Sequence, residues 1–107
     1  MTAAEHEAAI TRLLAELGDT PDAVADSLRA KGIKGKRNKV QCCPVANYIR
    51  SNAQGLSFVC VVRRTVGFMA EDQAISTRQW TATTNAVETF TRRFDEGVYL
   101  DLEEVDG

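Results

Sequence analysis

The sequence predicts an α+β domain with three N-terminal helices, a β-hairpin and a C-terminal helix. Two patterns predict this class: apolar residues recur at helical spacing in the first half and near the C-terminus, and a β-branched and aromatic run, LSFVCVVRR, lies between them. Size and composition are the third observation. A length of 107 residues, with 44% hydrophobic and 26% charged residues, is typical of one folded domain, which we expect to span residues 1–107.

Apolar spacing and helix caps predict the three N-terminal helices. Branched side chains recur at i, i+3, i+4 and i+7 from Ile10 onward, which predicts a first helix over residues 3–17. A first-turn proline predicts a second helix over residues 21–31, with Thr20 as its N-cap. Another first-turn proline begins a third helix over residues 44–53.

The second half is predicted to hold the strands and the last helix. Residues 56–64 carry apolar side chains on both faces, so we expect a covered strand there. A polar turn around residues 71–73 would lead to a second strand over residues 74–80, and a last helix is expected over residues 86–96. The apolar faces of these elements predict one core, made of Leu13, Leu14, Leu17, Val24, Leu28, Ile49, Phe58, Cys60, Val62, Phe90 and Phe94.

Charge is strongly segregated along the chain. Residues 27–70 contain nine Lys and Arg residues and no Asp or Glu, whereas residues 1–26 and 71–107 carry net charges of −5 and −6. All four lysines lie in or next to a glycine-containing loop over residues 32–41, called here the basic loop. Phosphates are attracted to such a concentration of cations, so the basic central segment, residues 29–64, predicts a surface for nucleic acid or another phosphate-rich ligand.

The candidate ligand-binding residues are the cations of this segment and one amide side chain. They are Lys31, Lys34, Lys36, Arg37, Lys39, Asn47, Arg50, Arg63 and Arg64. Two alternatives remain open. In the first, the basic loop has no external ligand and either folds back on the acidic ends of its own chain or stays solvated. In the second, it docks an acidic partner protein, as a regulator or inhibitor would.

The order of the predicted elements resembles that of a winged helix-turn-helix. Residues 20–31 would be the first helix of the pair, residues 44–53 the recognition helix and residues 56–80 the wing. The resemblance implies that the major groove is faced by Asn47, Arg50, Ser51 and Gln54. It also implies that the wing residues Arg63 and Arg64 contact phosphates. The chain departs from this pattern because about ten residues join the paired helices, where the motif has three or four.

Three short segments carry a second resemblance. GIKG, CPVANYI and FTRRFDEGVYLDL are similar to parts of short proteins of actinobacteria and their phages, a group that brings no known activity with it. The resemblance implies a phage or host regulatory protein, and an inhibitor that binds a partner protein is one form of that hypothesis.

The cysteines offer a thiol-based alternative. Cys42 and Cys43 precede a helix start beside the basic loop, and both surroundings favour a thiolate. The one histidine, His6, is expected to face solvent, so no partner base is evident, and C-x-x-C is absent. Three cysteines and one histidine lack the spacing of a zinc site, and no P-loop is present. We therefore expect no metal, no cofactor and no enzymatic activity.

The N-terminus and the hydropathy pattern bear on location. Glu5 and Glu7 occupy the place where a secretory signal needs positive charge. The longest apolar stretch, residues 58–62, is far shorter than the roughly 18 residues of a membrane span. The sequence predicts a soluble cytoplasmic protein with no membrane partner and leaves the oligomeric state open.

Overall fold

The computed structural model describes residues 3–71 and 78–104 and has the predicted α+β class. Its three strands form one antiparallel sheet in the order β1-β2-β3, and helices lie before and after it in the chain. The described elements are α1 Ala3–Glu16, α2 Pro21–Ala30, α3 Pro44–Asn52, β1 Leu56–Val62, β2 Thr65–Ala70, β3 Gln79–Ala82, α4 Asn85–Asp95 and a 3-10 turn, η1, Leu100–Leu102.

Side-chain caps fix the starts of three helices. Thr20 and Thr84 accept a hydrogen bond from the amide three residues further on, at 3.1 Å in each case, and so begin α2 and α4. The sulfur of Cys43 does the same at 3.4 Å at the start of α3. Pro21 and Pro44 occupy the first turns of α2 and α3, where a missing N–H costs nothing. The predicted helix boundaries are therefore confirmed to within one residue at both prolines.

One hydrophobic cluster joins the helices to the inner face of the sheet. Val59 and Val61 on β1 and Val66 and Phe68 on β2 supply the strand side of this cluster. The aromatic ring of Phe90 on α4 is fully buried. It lies 5.1 Å from the Tyr99 ring and 6.1 Å from the Phe94 ring, so α4 and the chain that follows it pack on the same core.

The prediction for β1 is confirmed only in part. Cys60 is buried as predicted, but Phe58 and Val62 are half-buried, and Val59 and Val61 are the strand residues that join the main cluster. Side chains alternate between the faces of a strand, and LSFVCVVRR is apolar on both, so the pattern alone leaves the register undecided. The residues predicted on the four helices are buried as expected.

The hairpin turns earlier than predicted. β1 and β2 meet at Val62 and Thr65, so the loop is the arginine pair 63–64 rather than the polar residues 71–73. Arg63 has φ 53°, which a two-residue hairpin loop requires at its first position, and the Thr65 hydroxyl donates to the Val62 carbonyl at 2.8 Å. Of the second strand predicted over 74–80, residues 79 and 80 lie in β3, and residues 72–77 lie outside the described part.

His6 is buried, so the prediction that it faces solvent was wrong. Its side chain is 4% exposed and its ring lies 6.4 Å from that of Phe68 on β2. His6 stands four residues before Ile10, so it extends the buried stripe of α1 by one turn. The imidazole therefore belongs to the contact between α1 and the sheet.

Phe90→Ala tests the position of the core. We expect the variant to lose about 3–5 kcal/mol of unfolding free energy, because a fully buried ring leaves a cavity between α4 and Tyr99. Val98→Ala is the matched control at a side chain that is 57% exposed, and it should change stability by less than about 0.5 kcal/mol. Urea denaturation measures both, and equal losses in the two variants would contradict the assigned core.

Candidate functional site

The basic loop is held by the C-terminal segment, residues 101–104. The Gly35 amide donates to the Leu102 carbonyl at 2.9 Å, and the Glu104 amide donates to the Gly35 carbonyl at 2.7 Å. Gly35 and Glu103 thus form an isolated parallel bridge. Because Leu102 is itself buried in the core, this bridge ties the basic loop to the body of the protein.

Gly35 also lies against the start of α3. A Cβ atom at this position would be 2.4 Å from the Pro44 nitrogen and 2.5 Å from the Cys42 carbonyl oxygen. No side chain fits at that distance from backbone atoms. The basic loop, the start of α3 and the C-terminal segment therefore meet at a residue that must be glycine.

Two polar side chains of α3 hold the basic loop from its other side. The Asn47 amide donates to the Lys34 carbonyl at 2.7 Å and to the Cys42 carbonyl at 3.2 Å. The Arg50 guanidinium donates twice to the Gln41 carbonyl, at 2.6 and 3.0 Å. Asn47 and Arg50, which the winged-helix resemblance places toward the major groove, bond the loop backbone in this structure and so position the basic loop.

Several arginines of the basic central segment pair with acids from elsewhere in the chain. Arg29 binds Asp101 through two nitrogens, at 2.6 and 3.1 Å. Arg37 lies 3.2 Å from Glu103, and Arg64 lies 2.9 Å from Glu88.

The hydrogen bonds between Arg29 and Asp101 raise the pKa of the guanidinium and lower the pKa of the carboxyl. Within the basic loop, Arg37 thus pairs with the acidic C-terminus, as the fold-back alternative expects, whereas Arg29 and Arg64 lie outside that loop.

The lysines of the basic loop are arranged differently. Lys34 and Lys39 are exposed, and neither forms an ion pair with a residue that the structure describes. Lys31, just before the loop, has its ammonium 5.9 Å from the centre of the Tyr48 ring. The basic central segment therefore contains both paired arginines and the exposed lysines Lys34 and Lys39.

Two shallow hollows run along the basic loop and share Lys36 and Glu104. One has a volume of about 410 Å³ and lies between the loop and α3, and the other has a volume of about 390 Å³ and lies at the outer bend of the loop. Together they carry five cationic side chains against two carboxylates, namely Lys34, Lys36, Arg37, Lys39 and Arg50 against Glu103 and Glu104. We call this pair of hollows the basic surface.

Arg63 lines neither of the two hollows of the basic surface. It lines a third hollow, of about 350 Å³, where Asn38 of the basic loop faces α4. The backbone N–H of Asn38 donates to a carboxylate oxygen of Asp95 at 2.9 Å. Asn38 has φ 58°, a left-handed conformation that asparagine tolerates well. Glu88 and Asp95 contribute carboxylates there, so Arg63 lies beside acidic side chains.

Burial acts against a reactive thiol at Cys43. Its side chain is 2% exposed, and loss of solvation raises the pKa of the thiol from 9.0 to about 11. Hydrogen bonds from the amides of Val45 and Ala46 act in the opposite direction and are outweighed. Cys42 is partly exposed and lines the hollow between the basic loop and α3. Burial therefore disfavours the thiolate form of Cys43, contrary to the expectation from its place beside the basic loop, and Cys42 is the accessible cysteine of the pair.

Sequence reasoning missed the acidic residues that complete this site. Asp101 and Glu103 bind two of the arginines, and Glu104 lines both hollows. The signal was the charge map, since an acidic C-terminus complements a basic centre. No local sequence pattern predicted which carboxylate pairs with which arginine.

Comparison of the chain with protein-family models, curated proteins and solved structures gives no match. Over residues 3–71 and 78–104, no helix combines the length and apolar character needed to cross a bilayer. Within the same residues, no group of three or more His, Cys, Asp and Glu side chains is placed to hold a metal ion. The function must therefore be argued from the surface itself.

Native-state alkylation tests the assignment of the cysteines. At neutral pH we expect iodoacetamide to label Cys42 and to leave Cys43 and Cys60 unmodified, because both are buried and the raised pKa keeps Cys43 protonated. Peptide mass spectrometry identifies the labelled residue. Cys42→Ser should abolish rapid labelling, and urea should expose the remaining two thiols. Rapid labelling of Cys43 in the folded protein would contradict the assignment.

Proposed function

We propose that the protein is a non-enzymatic binding protein that takes nucleic acid or another phosphate-rich ligand on the basic surface. One observation carries the proposal: the basic loop is held by its backbone, while the Lys34 and Lys39 side chains are exposed and form no ion pair with a residue that the structure describes. Arg29 and Arg37 bond Asp101 and Glu103 of the C-terminal segment, while the ammonium groups of Lys34 and Lys39 remain accessible to a ligand.

The order of the loop supports binding in a second way. Ordering a flexible loop on a ligand costs conformational entropy, and a loop already fixed at Gly35, Asn47 and Arg50 avoids much of this cost. Five cations against two carboxylates give a net positive field over the basic surface. Such a field attracts phosphates, releases their counterions and speeds encounter with a polyanion.

A specific observation favours an acidic peptide of a partner protein as the second candidate. The chain's own C-terminal segment already pairs with Gly35 through its backbone and with Arg37 through the Glu103 carboxylate. A partner with the same chemistry could bind the neighbouring lysines in the same way. The aromatic face of the last helix is not available for this role, since Phe90 and Phe94 are buried.

Lys34→Glu combined with Lys39→Glu tests the proposed function. We expect the double variant to fold normally and to lose at least about 10-fold in affinity for a 20-base-pair duplex at 50 mM salt, because two contacts become repulsive. For the wild type, log affinity should fall against log salt with a slope of about −3 to −4 if three or four phosphates are contacted, and the slope should flatten in the variant. Fluorescence anisotropy of the labelled duplex measures both.

The matched control is Arg12→Glu combined with Arg92→Glu, which changes the net charge equally on α1 and α4. It should reduce affinity much less than the lysine pair does. Equal losses in the two double variants would show that only net charge matters and would contradict a specific basic surface. Absence of binding to duplex, single-stranded nucleic acid and nucleotides at low salt would leave the acidic partner as the better function.

A further inference from the structure

The sheet has an outer face whose side chains lie outside the main hydrophobic cluster, with Cys60 and Met69 buried and Trp80 exposed. Cys60, Gly67 and Trp80 stand opposite one another across β1, β2 and β3, and Phe58 and Met69 form the next row on the same side. The main hydrophobic cluster takes its strand residues from the other side. We call the side that carries Phe58, Cys60, Gly67, Met69 and Trp80 the outer face.

Gly67 lets an aromatic ring lie close to the backbone at the centre of the outer face. A Cβ atom at Gly67 would be 2.9 Å from Cζ3 of Trp80 and 2.9 Å from the Cys60 sulfur. The indole therefore rests on bare β2 backbone, where no side chain could fit beneath it. Trp80 is nevertheless 48% exposed, so part of the indole is accessible to a ligand.

A guanidinium accompanies the aromatic rings. The Arg78 guanidinium carbon lies 4.7 Å from the centre of the Phe58 ring and 5.9 Å from that of Trp80. Two aromatic rings and one planar cation thus lie together on the outer face. Planar groups of this kind stack on the faces of nucleic-acid bases.

The outer face is continuous with cationic residues of the basic central segment. The Val61 amide of β1 donates to the Val40 carbonyl at 2.8 Å, so the end of the basic loop runs along the β1 edge and brings exposed Lys39 beside it. Arg63 and Arg64 form the β1–β2 turn at one end of the sheet. A phosphate backbone crossing the sheet would meet cations at this edge and at this end.

We propose that the outer face stacks the unpaired bases of single-stranded nucleic acid, with Trp80 as the principal platform and Arg78 beside it. This inference rests on the proposed function, because the lysines of the basic surface would supply most of the attraction for phosphates. It adds a preference for single strands. In a duplex the base faces are already stacked on one another, whereas a single strand exposes them to an aromatic ring.

Trp80 is the only tryptophan in the chain, so its fluorescence reports on this face alone. The experiment titrates the wild-type protein at 50 mM salt with a 20-nucleotide oligo(dT) and with a 20-base-pair duplex, and it records tryptophan emission together with anisotropy of labelled nucleic acid. We expect oligo(dT) to quench the emission in step with binding. The duplex should bind with little quenching and with lower affinity than the single strand.

Variants separate stacking from charge. Trp80→Ala should lower affinity for oligo(dT) by roughly 5- to 150-fold, the value of one stacked base, and should leave duplex affinity nearly unchanged. Trp80→Phe should restore much of the loss, because it keeps an aromatic ring over Gly67. Val98→Ala, at another exposed apolar side chain, is the control and should change neither affinity. Circular dichroism and thermal melting check the fold of each variant.

The outcomes distinguish this inference from the proposed function. Binding of oligo(dT) with unchanged emission and with equal affinity for wild type and Trp80→Ala overturns the stacking role and leaves the basic surface intact. A duplex that quenches Trp80 as strongly as oligo(dT) also overturns it. No binding of either nucleic acid overturns both proposals and leaves the outer face to a protein partner.

Discussion

The arrangement of the candidate site depends on the contact between Gly35 and the C-terminal segment. Two backbone hydrogen bonds of 2.9 and 2.7 Å join residues that are nearly 70 positions apart in the sequence, and buried Leu102 anchors one side of the contact in the core. The start of α3 closes in on Gly35 from the other direction. Because this contact fixes the path of the basic loop, it also decides which cations reach solvent.

The two kinds of cation have different tasks around this contact. Arginine presents a rigid fork of donors that matches a carboxylate or several carbonyls, and Arg29 and Arg50 are used in this way within the protein. Lysine carries a compact, well-hydrated charge on a flexible stem, which suits contact with a mobile phosphate chain. Internal pairing of arginines therefore leaves a lysine-rich surface, although the protein as a whole has a net charge of −2.

Local chemistry decides what the sequence could predict. Thr20 and Pro21 mark a helix start by themselves, so α2 was predicted almost to the residue. The inner face of β1 was not, because both of its faces are apolar and only packing selects one. For the candidate site, the charge map pointed to the cations that line the two hollows, and their binding role stays a prediction. The bonding of Asn47 to the loop carbonyls and the pairing of Gly35 with the C-terminal segment are long-range contacts that no local pattern encodes.

The claim that the basic loop is ordered before any ligand binds is tested most directly by amide hydrogen exchange in the free protein. The Gly35 and Glu104 amides, which form the two hydrogen bonds of the contact, should exchange at least about 100-fold more slowly than in an unstructured peptide. Nuclear magnetic resonance resolves both amides individually. Exchange of the two at unstructured-peptide rates, while core amides of α3 stay protected, would contradict the account.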